Sequence, residues 1–139
     1  MLTRTSFSKI SLLFSILFIT ASCASNYPFQ TSSVVPAAEG GVKVKRDKNS
    51  NYDVSMSTIR LAQPTRLSPS RQYYVAWMTT EGNGVKNIGQ LKSSSSLFSK
   101  TLKSSLETVT SFKPTGFFIT AEDNSSIQYP SEQIILRTK

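Results

Sequence analysis

From Gly41 onward the apolar residues recur at every second position, the period at which a strand turns successive side chains to opposite faces. Val42 and Val44 alternate with Lys43 and Lys45, giving one apolar face and one basic face. Tyr52, Val54 and Met56 alternate with Asp53, Ser55 and Ser57, and the apolar phase then slips by one to Ile59 and Leu61, as a bulge or bend requires. The turn formers Asp47-Lys48-Asn49-Ser50-Asn51 separate these two strands. Pro64 and Pro69 exclude residues 63–71 from a central strand. Tyr73-Tyr74-Val75-Ala76-Trp77-Met78 is β-prone and apolar on both faces, which predicts a mid-sheet strand with Trp77 as the central core residue of the sandwich.

Asn83-Gly84 is a strong hairpin signal, and residues 85–91 form the expected returning strand. Ser93 to Ser96 reads as an exposed loop. Residues 97–106 fit either a short amphipathic helix or two short strands, and the β surroundings favour strands. Residues 115–121 predict a buried strand with Phe117 and Ile119 on one face and Phe118 on the other. Asp123-Asn124-Ser125-Ser126 turns the chain, Tyr129-Pro130 breaks it, and residues 133–137 close the domain. About seven strands at spacings near ten residues, joined mostly by hairpins, predict an all-β fold: a single antiparallel β-sandwich of immunoglobulin-like type over residues 41–139.

The first 22 residues follow a different rule. Arg4 and Lys9 form a positive start, residues 10–19 are an apolar run broken only by serines, and Thr20-Ala21-Ser22 precede Cys23. The run is too short for a hydrocarbon core, which needs about 20 residues. Together these residues resemble the lipobox of bacterial lipoproteins, with Thr20 where an aliphatic residue usually stands. The resemblance implies a signal peptide over 1–22 and lipid attachment at Cys23, which is the chain's sole cysteine and so has no internal disulfide partner. Acyl chains contribute about 0.8 kcal/mol per buried CH₂, enough for stable anchoring when several are attached. Residues 23–40, rich in Ser, Thr, Ala and Pro, are expected to be a flexible tether lifting the domain off the membrane.

Composition narrows the chemistry. Without the signal the chain carries fourteen basic residues against eight acids, a net of +6. That charge suits anionic lipid or acidic glycans, whereas nucleic-acid binding, for which no basic stripe with interleaved aromatics exists, is not expected. The sequence contains no histidine, which removes Ser-His-Asp and Cys-His nucleophiles, histidine general acids and histidine metal ligands. Asp47, Asn49, Asn51 and Asp53 have the spacing of a calcium loop's start, but Tyr52 replaces its glycine and Thr58 its bidentate glutamate, so a plain hairpin loop is expected. Glu122 and Asp123 are adjacent, point to opposite faces of a strand, and cannot share one substrate bond.

The stretch from Tyr74 to the C-terminus resembles the extracytoplasmic C-terminal domain of bacterial anti-sigma-K factors. The residues that carry the likeness are Tyr74-Val75-Ala76-Trp77-Met78, Gly82, Gly89-Gln90-Leu91, Phe118-Ile119-Thr120-Ala121-Glu122, and Pro130 followed by Ile134-Ile135-Leu136. It implies a β-sandwich facing away from the cytoplasm and supplies no catalytic residues. The expected function is a non-catalytic, lipid-anchored envelope module without cofactor or metal, facing the periplasm or cell exterior and contacting an envelope protein. The alternative is glycan or peptidoglycan binding by a basic face including Lys43, Lys45, Arg60 and Lys86, with Tyr73 as an aromatic contact.

Overall fold

The computed structural model describes residues 23–94 and 101–139. The expected signal peptide and residues 95–100 lie outside the described residues. Nine strands are described: β1 (Ala24–Pro28), β2 (Glu39–Arg46), β3 (Tyr52–Ile59), β4 (Tyr73–Thr80), β5 (Gly84–Gln90), β6 (Lys92–Ser94), β7 (Lys103–Thr110), β8 (Pro114–Glu122) and β9 (Ile134–Arg137). They form two antiparallel sheets, β1-β2-β3-β7-β6 and β5-β4-β8-β9. Setting β1 aside, β2-β3-β7-β6 against β5-β4-β8-β9 is the ABED against C′CFG order of an immunoglobulin-like sandwich.

The space between the sheets is filled by the alternating apolar positions. Val42, Val44, Val54 and Met56 come from the five-stranded sheet; Tyr74, Ala76, Met78, Phe117, Ile119, Ala121 and Leu136 come from the other. Tyr74 closes one end of this core: its hydroxyl donates to the Ala62 carbonyl oxygen at 2.7 Å. Burial pushes its pKa up to about 12. An unfolded tyrosine ionises near 10, so the folded state holds the proton more tightly. The linked stability is complete below pH 10 and is lost as pH rises through about 12. Tyr74→Phe should cost about 1 kcal/mol at neutral pH by leaving the Ala62 carbonyl without its donor. Urea titrations from pH 9 to 12 should show a shallower alkaline decline in that variant than in the parent.

Four expectations are corrected. Residues 23–40 are not a free tether: β1 pairs with β2 from Ala24↔Lys45 to Pro28↔Gly41, and Val35 and Ala38 are buried in the core. Tyr27 packs edge-on against Phe117, with ring centroids 5.3 Å apart. Past β1 the chain changes sheets, with Phe29 bridging Thr138 and the Gln30 amide donating to the Arg137 carbonyl at 2.8 Å. The segment therefore covers the open side of the sandwich, drawn there by the unpaired edges of β2 and β9 rather than by its own strand propensity.

The expected slip at Ile59 is placed differently. Thr58 continues the buried phase, and β3 keeps unbroken register with both neighbours through Ile59. The phase changes at Arg60, whose φ of 56° bends the chain and returns Leu61 to the core. The serine run is not wholly loop, since Lys92–Ser94 pairs with β7. Of the stretch expected to be strands at 97–106, Lys103 onward is β7.

Trp77 is the fourth correction. It is fully buried, but on the outer face of the four-stranded sheet, because Ala76 occupies the inward position of β4 between Tyr74 and Met78. Val75, Trp77 and Phe118 form a second, smaller core there, roofed by Ile127 and Ile134. The two large rings stack with centroids 6.1 Å apart at 12°.

Candidate functional site

Cys23 stands exposed, with a free thiol, one residue ahead of the first strand pair. The strand register brings the β2–β3 turn and the β7–β8 turn to the same end of the sandwich, since Arg46 pairs with Tyr52 and Tyr52 with Thr110. A recess beside the cysteine is lined by Tyr27, Val44, Arg46, Tyr52, Lys113 and Pro114.

The basic residues expected to share one face are distributed over several. Lys43 and Lys45 lie exposed on the outside of the five-stranded sheet, where Lys45 faces Asp53 and Lys43 faces Ser55 in register. Arg60 is engaged at one end of that sheet, just past β3, paired with Glu39 at 2.5 Å and donating from Nε to the Ala37 carbonyl. Tyr73 opens β4 in register with Glu122, on the outer side of the opposite sheet. Lys86 pairs in register with Met78, an inward position, and its Nζ lies 5.0 Å from the ring centroid of Phe112. Only Lys43 and Lys45 are neighbours.

A different surface is assembled by residues that, Lys86 apart, the sequence did not single out. β5 is an outermost strand, paired only with β4 among the described residues. The loop between β8 and β9 folds back alongside it, so that Val85 to Gly89 and Ser125 to Tyr129 line one groove. Asn87 holds the loop in place: its Nδ2 donates to the carbonyl oxygens of Ser125 and Ile127 at 3.0 and 2.8 Å. Its Oδ1 accepts from the Gly89 amide, across the bulge that shifts β5 against β4 at Ala76/Trp77. An asparagine and a glycine within a strand were the available signal, since both residue types are depleted in regular strands. Tyr129 is 83% exposed and Val85 42%, so the groove presents apolar side chains beside a strand that pairs only with β4 among the described residues.

The carboxylates are largely occupied by structural partners. Asp47 Oδ1 accepts the amides of Asn49 and Asn51 at 2.7 and 2.9 Å. These bonds, that from the Asn51 amide foremost, hold its pKa below the ordinary value and close the hairpin loop. Glu81 and Lys113 pair at 2.6 Å; the bond lowers the Glu81 pKa and raises that of Lys113. Asp123 pairs with Arg71. Glu122 is buried, and its Oε1 accepts from Thr120 Oγ1 and the Ser131 amide at 2.5 and 2.9 Å. Thr120 Oγ1 in turn accepts from Trp77 Nε1 at 2.8 Å. The result is a continuous network beneath the second core. Among the described residues no group of three or more His, Cys, Asp or Glu is arranged to hold a metal ion, and no helix is long and apolar enough to cross a membrane. No protein-family model, curated protein or solved structure gives a significant match to the chain.

Proposed function

We propose that this chain is a non-catalytic, lipid-anchored β-sandwich of a bacterial cell envelope, held by acyl chains on Cys23 and engaging a protein partner. The observation that carries the partner reading is the groove beside β5. An outermost strand with free backbone donors and acceptors accepts an added strand, and flanking apolar side chains supply selectivity. Val85 and Tyr129 are placed for the second role. The resemblance to the anti-sigma-K C-terminal domain agrees with an extracytoplasmic address and carries no regulatory function with it.

Two measurements test this. Cys23→Ala should abolish incorporation of radiolabelled fatty acid and move the protein to the soluble fraction; label retained in the variant refutes the anchor. Crosslinked pull-down from native membranes should recover one partner chain that survives high-salt washing and is lost in a Val85→Lys, Tyr129→Ser variant. Recovery of wall polymer alone, released by salt, would favour glycan binding. With Arg60 and Lys86 away from Lys43 and Lys45, that reading rests on a smaller basic patch.

A further inference from the structure

We infer that the Cys23 end of the sandwich lies within the headgroup layer of an anionic bilayer, with Phe112 inserted. This inference rests on the lipid-anchor reading and deepens it by assigning the surface that meets the membrane. The first argument is the length of chain available. Ala24 is already paired with Lys45, so no residue intervenes between the acylated position and the sandwich. One extended residue spans about 3.5 Å, whereas each headgroup layer is roughly 5–7 Å thick. An acylated Cys23 cannot hold the domain clear of the lipid.

The second argument is what that end displays. Val109 and Phe112 are 61% and 37% exposed, and both lie on elements that converge near Cys23. Pro114 pairs with Thr80, and Thr110 with Tyr52, which brings the β7–β8 and β4–β5 turns alongside the β2–β3 turn. Basic side chains flank the apolar ones. Arg46 and Lys48 are exposed in and beside the β2–β3 turn, and Lys86 lies against the Phe112 ring. Such a pairing suits an interface where an aromatic ring enters the acyl boundary and the cation's stem runs up to the phosphates. Of the acids at this end, Asp47 is turned into its own loop, Glu81 is paired with Lys113, and the exposed Asp53 stands opposite Lys45 in register, leaving Arg46, Lys48 and Lys86 for anionic lipid. Each basic residue at such a surface strengthens partition about fivefold.

Hydroxyl-radical footprinting of the full chain, reconstituted in vesicles of phosphatidylethanolamine and phosphatidylglycerol, tests the orientation. Phe112 should lose most of the oxidation it shows in the soluble Cys23→Ala variant, while Tyr129 in the same sample keeps its own. The protection should weaken when phosphatidylglycerol is omitted; equal protection overturns the anionic assignment. Phe112 oxidised as in the variant, on a protein that carries fatty acid, overturns the orientation and leaves the anchor standing. Absence of fatty acid from the parent protein overturns both. Protection found in native membranes but not in vesicles means that a protein, not lipid, covers this end, and overturns the assignment.

Discussion

Trp77→Ala should destabilise the domain by about 3–5 kcal/mol, the usual range for removing a buried tryptophan. A single domain has only about 5–15 kcal/mol in total, so the variant should sit close to its folding limit. Two effects combine. The indole fills the outer core against Phe118, and the roof above it is Ile127 from the loop and Ile134 from the start of β9, too little to collapse into the void. The indole N–H also satisfies Thr120 Oγ1, one link from the buried Glu122 carboxyl. Trp77→Phe separates the two, keeping a ring for packing while deleting the donor, and should cost about 1–2 kcal/mol. Urea midpoints followed by circular dichroism measure both. Hydrogen exchange should rise first in residues 123–133, the roof of the outer core, before the inter-sheet core responds. Uniform loosening of both cores would show that they are one cooperative layer.

Gly41→Val should release β1 from the sheet. A Cβ at Gly41 would lie 2.8 Å from the Tyr27 carbonyl oxygen and 3.1 Å from Pro28 Cα. Both are backbone atoms, which cannot swing aside as a side chain can. The strand must move off, taking Tyr27 away from Phe117. Losing the burial of one large side chain predicts about 2–3 kcal/mol, with new protease cleavage confined to residues 23–30. Gly82→Ala is the useful contrast. It meets nothing within 4 Å, and its φ of +81° is the sole obstacle, so about 1–2 kcal/mol of backbone strain is expected with β1 undisturbed. If Gly41→Val leaves cleavage in 23–30 unchanged, β1 is not held by its close approach to β2.

What the sequence made legible follows from where the determining interactions lie. β3, β5 and β8 could be read because their patterns are local: alternation, the turn around Gly82 to Gly84, and a run of aromatic and β-branched residues. β1 could not. Ala-Ser-Asn-Tyr-Pro has no strand signature of its own, and its structure comes from the edge of β2, thirteen to twenty-one positions away. The direction of Trp77 was hidden for a related reason. β4 is apolar on both sides, so periodicity cannot say which side meets the other sheet; that depends on the loop from β8 to β9 returning to cover the outer one. The dispersal of Lys43, Lys45, Arg60 and Lys86 belongs to register and sheet assignment, which a one-dimensional charge pattern does not contain. The β5 groove joins residues some forty positions apart, and only Asn87, out of place in a strand, hinted at it.

The joining of Cys23 directly to a paired strand also fixes how the molecule bears tension. A pull at Cys23 acts along β1, parallel to β2, and loads the ladder from Ala24 to Pro28 in shear. The hydrogen bonds then resist together rather than opening one after another as in a zipper. Beyond them, the bond from Gln30 to Arg137 ties the segment after β1 to the second sheet, so force entering at Cys23 is divided between both layers. Under a pull at Cys23, a domain built this way yields only when the whole β1 ladder shears.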